Sequence, residues 1–152
     1  MMNKKIILGS DHAGFELKEE IKKYLKELGY EYEDLGTHSK EPCDYPETAF
    51  KVAKQVIKTN SRGILMCGSG LGEVIVANKV KGIRAANCFN EYTAKMSREH
   101  NDSNILCLGS RVLKPNEAKN ITKIFLETEF SKEERHRRRV KQISQIEEKT
   151  CK

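Results

Sequence analysis

Apolar residues along this chain follow two alternating patterns. Short runs rich in β-branched and aliphatic side chains, Lys4–Leu8 (KKIIL), Tyr30–Leu35 (YEYEDL), Gly63–Cys67 (GILMC), Ile83–Cys88 (IRAANC) and Asn104–Gly109 (NILCLG), read as strands. Between them the apolar spacing is helical. Leu17, Ile21, Tyr24, Leu25 and Leu28 share one face before Gly29, and Ala49, Phe50, Ala53, Val56 and Ile57 share another after Asp44 and Glu47, which have capping-box spacing around Pro46. A third helix follows Cys67 to about Val80, Asn90 opens a fourth through EYTAKMSREH, and Pro115 starts a fifth carrying Ile121, Ile124 and Phe125. Ser131 and Glu134 form a last capping-box pattern, followed by a narrow stripe of Val140, Ile143 and Ile146.

Strand and helix therefore alternate five times. That alternation predicts an α/β chain with three α/β/α layers, a Rossmann-like five-stranded parallel sheet with helices on both faces, and an extra C-terminal helix over residues 131–152. No repeat, low-complexity tract or linker interrupts the pattern, so residues 1–152 read as one domain. In such a sheet ligands bind beyond the carboxyl ends of the strands, where loops enter helix N-termini. Ser10-Asp11-His12, Cys67-Gly68-Ser69-Gly70 and Gly109-Ser110-Arg111 all fall at those ends.

The glycine-rich loop is neither of two familiar phosphate cradles. Counted from Gly68, the sixth position of a dinucleotide fingerprint is Glu73 rather than glycine, and no Gly-Lys-Ser/Thr follows to make a P-loop. Gly68, Gly70 and Gly72 with small Ser69 can still turn several N–H groups inward as a nest for an anion, or form only a tight strand-to-helix turn. The same N–H groups and the helix start are expected to lower the Cys67 pKa from a free value of ~8.5, making the thiol a candidate base; the alternative is a buried cysteine.

Composition narrows the setting. With 38% hydrophobic and 33% charged residues the chain is too apolar for disorder and too charged for a membrane protein, and no apolar run is long enough for a signal-peptide core or a bilayer span. We expect a cytoplasmic protein. The five cysteines are odd in number and lack a C-x-x-C pair, a reducing-compartment pattern, and Cys88 and Cys107 read as small buried hydrophobes. The net charge of +6 is concentrated at the end, where residues 131–152 hold eight Lys/Arg and four Glu.

GSDHAGF (Gly9–Phe15), DYP (Asp44–Pro46), CGSGLG (Cys67–Gly72), ANKVKGIRA (Ala77–Ala85), SREHNDSNIL (Ser97–Leu106), LGSR (Leu108–Arg111) and RHRRRV (Arg135–Val140), in this order, resemble type B ribose-5-phosphate isomerase. The likeness extends to the related galactose-6-phosphate and allose-6-phosphate isomerases. It implies interconversion of an aldose and a ketose phosphate through an enediolate, without metal or cofactor. It further implies Cys67 as the base, Ser69 and the loop amides of Gly68, Gly70 and Gly72 around the oxygen that becomes negative, and His100 with Asn101 at ring opening. His12, Arg135 and Arg139 are implied as a phosphate clamp with Arg111 in support, and Asp11 and Tyr45 as contacts to sugar hydroxyls. The family's site lies between two subunits, which implies a homodimer or homotetramer whose C-terminal helix serves its partner. Arg135 and Arg139, four apart, share a helix face and can reach one phosphate. Arg137 and Arg138 point elsewhere, and His38 and His136 read as surface residues.

Two positions depart from the family's common pattern. Ser69 stands where threonine is common and keeps the hydroxyl. Glu73 and Val74 stand where many relatives have an apolar residue and serine, and some relatives without the cysteine use a glutamate at the position of Glu73 as the base. We expect Cys67 to be the base and Glu73, in a helix first turn, to stay charged as a ligand for a sugar hydroxyl or a helix-start charge; burial of Glu73 would reverse that expectation. Six-carbon sugar phosphates are the alternative substrates. A nucleic-acid-binding protein is the alternative of another class, weighed against by the glutamates interleaved with the basic residues and by the absence of alternating aromatics. A thiol redox role lacks a resolving cysteine near Cys67, and the four His show no metal-ligand spacing.

Overall fold

The computed structural model describes residues 5–150. Lys4, with which the first predicted strand begins, and Cys151 and Lys152 at the end of the predicted C-terminal segment lie outside the described residues. Strands β1 (Lys5–Ser10), β2 (Glu31–Asp34), β3 (Arg62–Cys67), β4 (Ala85–Asn87) and β5 (Ile105–Gly109) form one sheet in the order β2-β1-β3-β5-β4, with every neighbouring pair parallel. Helices α1 (Phe15–Glu27), α2 (Tyr45–Thr59), α3 (Leu71–Ala77), α4 (Glu91–Glu99) and α5 (Pro115–Glu127) connect them, and α6 (Glu134–Thr150) follows.

The sheet is buried on both faces, so its central strands carry apolar residues at every position rather than at every second one. Ile6, Leu8, Ile64, Met66, Leu106 and Leu108 face a core built with α1, α4 and α5, while Ile7, Leu65, Ile105 and Cys107 face α2 and α3. Cys88 and Cys107 are buried in these cores as small hydrophobes. His38 is exposed, as expected, whereas His136 is buried and belongs to the interior contacts of α6.

Helix ends differ from the sequence patterns in three places. Asp44 caps α2 without a side-chain hydrogen bond, and the Glu47 carboxylate pairs with Lys51 one turn on instead of reaching back to the cap. The predicted box at Ser131 does not form, since α6 begins at Glu134 and the Ser131 hydroxyl bonds the His136 ring instead. The third helix stops at Ala77 rather than Val80, giving way to turns before β4. At Asn90 the cap does form: its side chain accepts from the Thr93 N–H at 2.8 Å.

Strand order fixes where a ligand can enter. From β1 the chain moves outward to β2 on one side, and from β3 it moves to the edge strand β4 and back to β5 on the other, so the loops after β1 and β3 diverge and leave a crevice. Gly14 closes the floor of that crevice. A Cβ there would lie 2.0 Å from the Met66 carbonyl oxygen, so only glycine lets the start of α1 rest on the end of β3.

The loop after β2 is held by a buried ion pair. Lys18 Nζ, with a side chain 0% exposed, donates to Asp34 Oδ1 and to the Thr37 carbonyl, and Lys22 donates to Asp34 Oδ2 at 2.9 Å. Burial alone would raise the Asp34 pKa, but the hydrogen bonds from Lys18, Lys22 and the Gly36 N–H outweigh it and hold the carboxyl below its ordinary 3.8. A depressed folded-state pKa means stability present at neutral pH and lost as pH falls through the folded value. Asp34→Ala, which strands Lys18, is expected to cost ~3–5 kcal/mol at pH 7. Urea denaturation should show that difference shrinking as the pH is lowered below the ordinary aspartate range, where the wild type loses the same contribution.

Candidate active site

Cys67 is the last residue of β3, and its thiol is turned back into the loop that follows. The Gly70 N–H donates to Sγ at 3.0 Å, made possible by Gly70 in the left-handed region at φ 81°. Ser69 is exposed, and its Oγ accepts the Leu71 N–H at 3.2 Å, leaving the hydroxyl proton free to donate. One of the amides expected to await an anion, that of Gly70, is thus already taken by the cysteine sulfur, and the next along the chain, that of Leu71, is taken by the serine oxygen.

Glu73 is the unexpected member. It lies in the first turn of α3 yet is 0% exposed, and neither carboxyl oxygen has a hydrogen-bond partner among the described residues. Burial pushes its pKa well above the ordinary 4.5, the Asp11 charge adds to the rise, and only the neighbouring Cys67 thiol acts against it. The expected depression of the Cys67 pKa is reversed as well. Burial and then the Glu73 charge drive the thiol up to about 11, against the opposing N–H groups of Gly70 and Glu73. A helix start favours an anion, but desolvation in a site lined by two further acids wins.

Other sequence candidates converge on the same mouth. Asp11 is buried, and its Oδ1 accepts the Gly14 N–H at 2.9 Å. His12 Nδ1 lies against the Cys43 backbone, 3.2 Å from its nitrogen and 3.3 Å from its carbonyl oxygen. The Tyr45 ring lies over Gly72, where a Cβ would come within 2.4 Å of Cζ. The Arg111 guanidinium covers Gly68, 3.0 Å from where a Cβ would sit, and its backbone N–H donates to the Gly68 carbonyl. Asn87 and Ser110 were not singled out from the sequence. Asn87 supports the Ser69 carbonyl at 3.4 Å, and Ser110 Oγ donates to the Ala13 carbonyl at 2.8 Å, tying the β5 loop to the β1 loop. Their only signal in the sequence is position at a strand's carboxyl end.

His100, Asn101, Arg135 and Arg139 are not brought there within one chain. Helix α4 leaves the carboxyl end of β4 and runs back, so His100 at its C-terminus lies level with the amino ends of the strands. Arg84, just before β4, donates to the carbonyls of Asn101 and Asp102 there. A strand of five residues, β5, separates that level from Cys67, a distance of ~17 Å. Helix α6 stays at this far end: His136 stacks on His100 with ring centroids 4.2 Å apart, and Glu147 accepts the Gly82 N–H. Arg135 and Arg139 are exposed, with Arg135 paired to Glu133 at 2.8 Å.

A cavity of about 950 Å³ lies away from both groups, between β2 and α2, and contains none of the candidate residues. A smaller one of about 220 Å³ adjoins Ser69 and is rimmed by Leu71, Phe89 and Val112, all more than half exposed.

Residues 6–143 match the family described as Ribose/Galactose Isomerase. The chain is 46% identical over 147 residues to ribose-5-phosphate isomerase B of Escherichia coli (strain K12), covering 96% of this chain and 98% of that protein. Among solved structures it resembles Clostridium thermocellum ribose-5-phosphate isomerase B, with TM-score 0.93, 53% identity and coverage of 95% and 98%. It also resembles Mycoplasma genitalium ribose-5-phosphate isomerase B with bound ribulose-5-phosphate, with TM-score 0.92, 40% identity and coverage of 99% and 100%.

A carboxyl whose folded-state pKa is raised contributes stability below its unfolded value and loses it as pH rises through the folded value. Glu73→Gln, which cannot ionise, is therefore expected to leave Tm near that of the wild type at pH 4 and to raise it at pH 8, as thermal unfolding by circular dichroism will measure.

Proposed function

The chain belongs to the ribose/galactose isomerase family, and we propose that it interconverts ribose 5-phosphate and ribulose 5-phosphate through an enediolate. The observation that carries this reading is the Cys67–Glu73 pair at the mouth of the crevice between β1 and β3. Burial and the Asp11 charge hold both acids toward their protonated forms, and ionising one opposes ionising the other, so a proton can pass between them. Aldose–ketose isomerisation asks for that capacity: one proton is lifted from C2 of the open-chain aldose and returned to C1.

In this reading Cys67, at 4% exposure, meets the substrate carbon, and Glu73, at 0%, exchanges the proton behind it. As C2 loses its proton, negative charge develops on O1, where the free proton of the Ser69 hydroxyl and the remaining loop amides stabilise it. The O2 proton then passes to O1, which moves the negative charge to O2; as the C2 ketone forms, the enediol electron pair takes the proton back at C1. Asp11 and Tyr45 bind sugar hydroxyls. The names of the relatives favour a five-carbon substrate over a six-carbon one.

The far group of residues calls for a second chain. His100, Asn101, Arg135 and Arg139 cannot reach Cys67 of their own subunit across the sheet, and a symmetric dimer would set them against a partner's crevice. There His100 would assist opening of the furanose ring, while Arg135 and Arg139 would join His12 and Arg111 on the phosphate. The basic C-terminal helix is thereby assigned to a sugar phosphate rather than to nucleic acid. The exposed Leu71, Phe89 and Val112 around Ser69 support a covering partner. We read the protein as a single-domain cytoplasmic enzyme, at minimum a homodimer, with no metal or cofactor.

Purified protein should convert ribose 5-phosphate with a chelator present, and kcat/KM should rise with pH as the pair loses its first proton, above the ordinary carboxylate range. Cys67→Ala and Glu73→Gln are each expected to lower kcat by ~10²–10⁴. Near-normal turnover in Glu73→Gln would return the base role to the thiol alone.

Co-expression of Cys67→Ala and His100→Asn chains tests the shared site. A mixed dimer carries one intact site, so roughly a quarter of wild-type activity should return from two impaired parents. No recovery in isolated mixed dimers would place each site within one chain.

A further inference from the structure

His136 falls outside every role assigned above, yet it is 3% exposed on a helix whose neighbouring side chains face solvent. Its ring stacks on His100 at 4.2 Å between centroids, tilted by 34°. On the other side its Nδ1 lies 2.6 Å from Ser131 Oγ. That oxygen also accepts the Glu133 N–H at 3.3 Å, so Ser131 is held from both the backbone and the ring. Ser131 is itself fixed to the end of α4, its N–H donating to the Glu99 carbonyl at 3.1 Å. The contacts make a closed circuit: Glu99 holds Ser131, Ser131 holds His136, and His136 holds the ring of His100, the residue after Glu99.

We propose that His136, locked by Ser131, is a positioning residue that sets the ring plane of His100 for its work on the sugar ring. The proposal rests on the role given to His100 above. His100 terminates α4, where its backbone is held by a single helical bond to Met96, and no side-chain hydrogen bond fixes its imidazole among the described residues. The stack supplies what the helix end does not. Burial and then repulsion from His100 lower the His136 pKa, consistent with a neutral ring serving as a platform beside one that exchanges protons.

A double-mutant cycle separates positioning from mere support of the fold. Kinetics on ribose 5-phosphate are measured for His136→Phe, which keeps an aromatic face but loses the serine bond, for His136→Ala, which loses both, and for Ser131→Ala, which removes only the hydroxyl. Each is made in the wild type and in His100→Asn, with Tm recorded throughout. In the wild-type background kcat should fall roughly tenfold to a hundredfold for His136→Ala, less for Phe and for Ser131→Ala, with KM little changed. In His100→Asn the same changes should cost nothing further. Equal losses in both backgrounds, or none in the wild type, would overturn the proposal. Should His136→Ala fail to fold, the Ser131→Ala arm decides alone. If His100→Asn has full activity, the role of His100 fails and the proposal with it; if His100→Asn is impaired but the His136 and Ser131 changes are silent, only the proposal fails.

Discussion

A carboxyl group sealed from water beside a thiol, with no hydrogen-bond partner for either oxygen among the described residues, is the constraint around which this site is organised. Ionising it means placing a charge in a poorly solvated interior, and the charge of either Glu73 or Cys67 opposes ionisation of the other. A fold does not keep such a group for stability. The arrangement keeps a carboxyl that burial makes a stronger proton acceptor than an exposed glutamate would be.

The geometry that encloses this pair also divides the functional residues. Parallel strands send all their carboxyl ends one way, and helices of matching length return the chain to the opposite end before the next strand. Residues that open helices gather with Cys67; residues that close them, His100 and Asn101, gather at the other pole, and α6 is stapled there through Ser131, His136 and Glu147. The separation is a consequence of α/β alternation, and the proposed dimer is the reading that bridges it.

The far pole is built rigidly. Arg98, 1% exposed, donates to the Ser103 and Thr128 carbonyls and to Asp102, and Arg62 donates to the Leu126 carbonyl, so two buried guanidinium groups hold the last turn of α5 and the loop after α4. Orphan carbonyls at a helix C-terminus suit cations, and planar guanidinium groups satisfy several at once. The platform under His100 is thus set by charge-assisted bonds rather than by apolar packing alone.

By itself the sequence determined the five strands, the order in which helices follow them and the loops that would meet at one end of the sheet, because periodicity and turn residues are local properties of the chain. It also carried the resemblance through CGSGLG, SREHNDSNIL and RHRRRV, and with it the family. The tertiary structure decided what depends on burial and on distance through space. A first-turn glutamate reads as a solvated helix-start charge until its neighbours are known to exclude water, and a strand-end cysteine reads as acidified until those neighbours include Glu73 and Asp11. Ser131 looks like a helix cap and His136 like a surface residue until α6 docks on α4. Desolvation and ring stacking arise between residues far apart in the chain, so no local pattern records them.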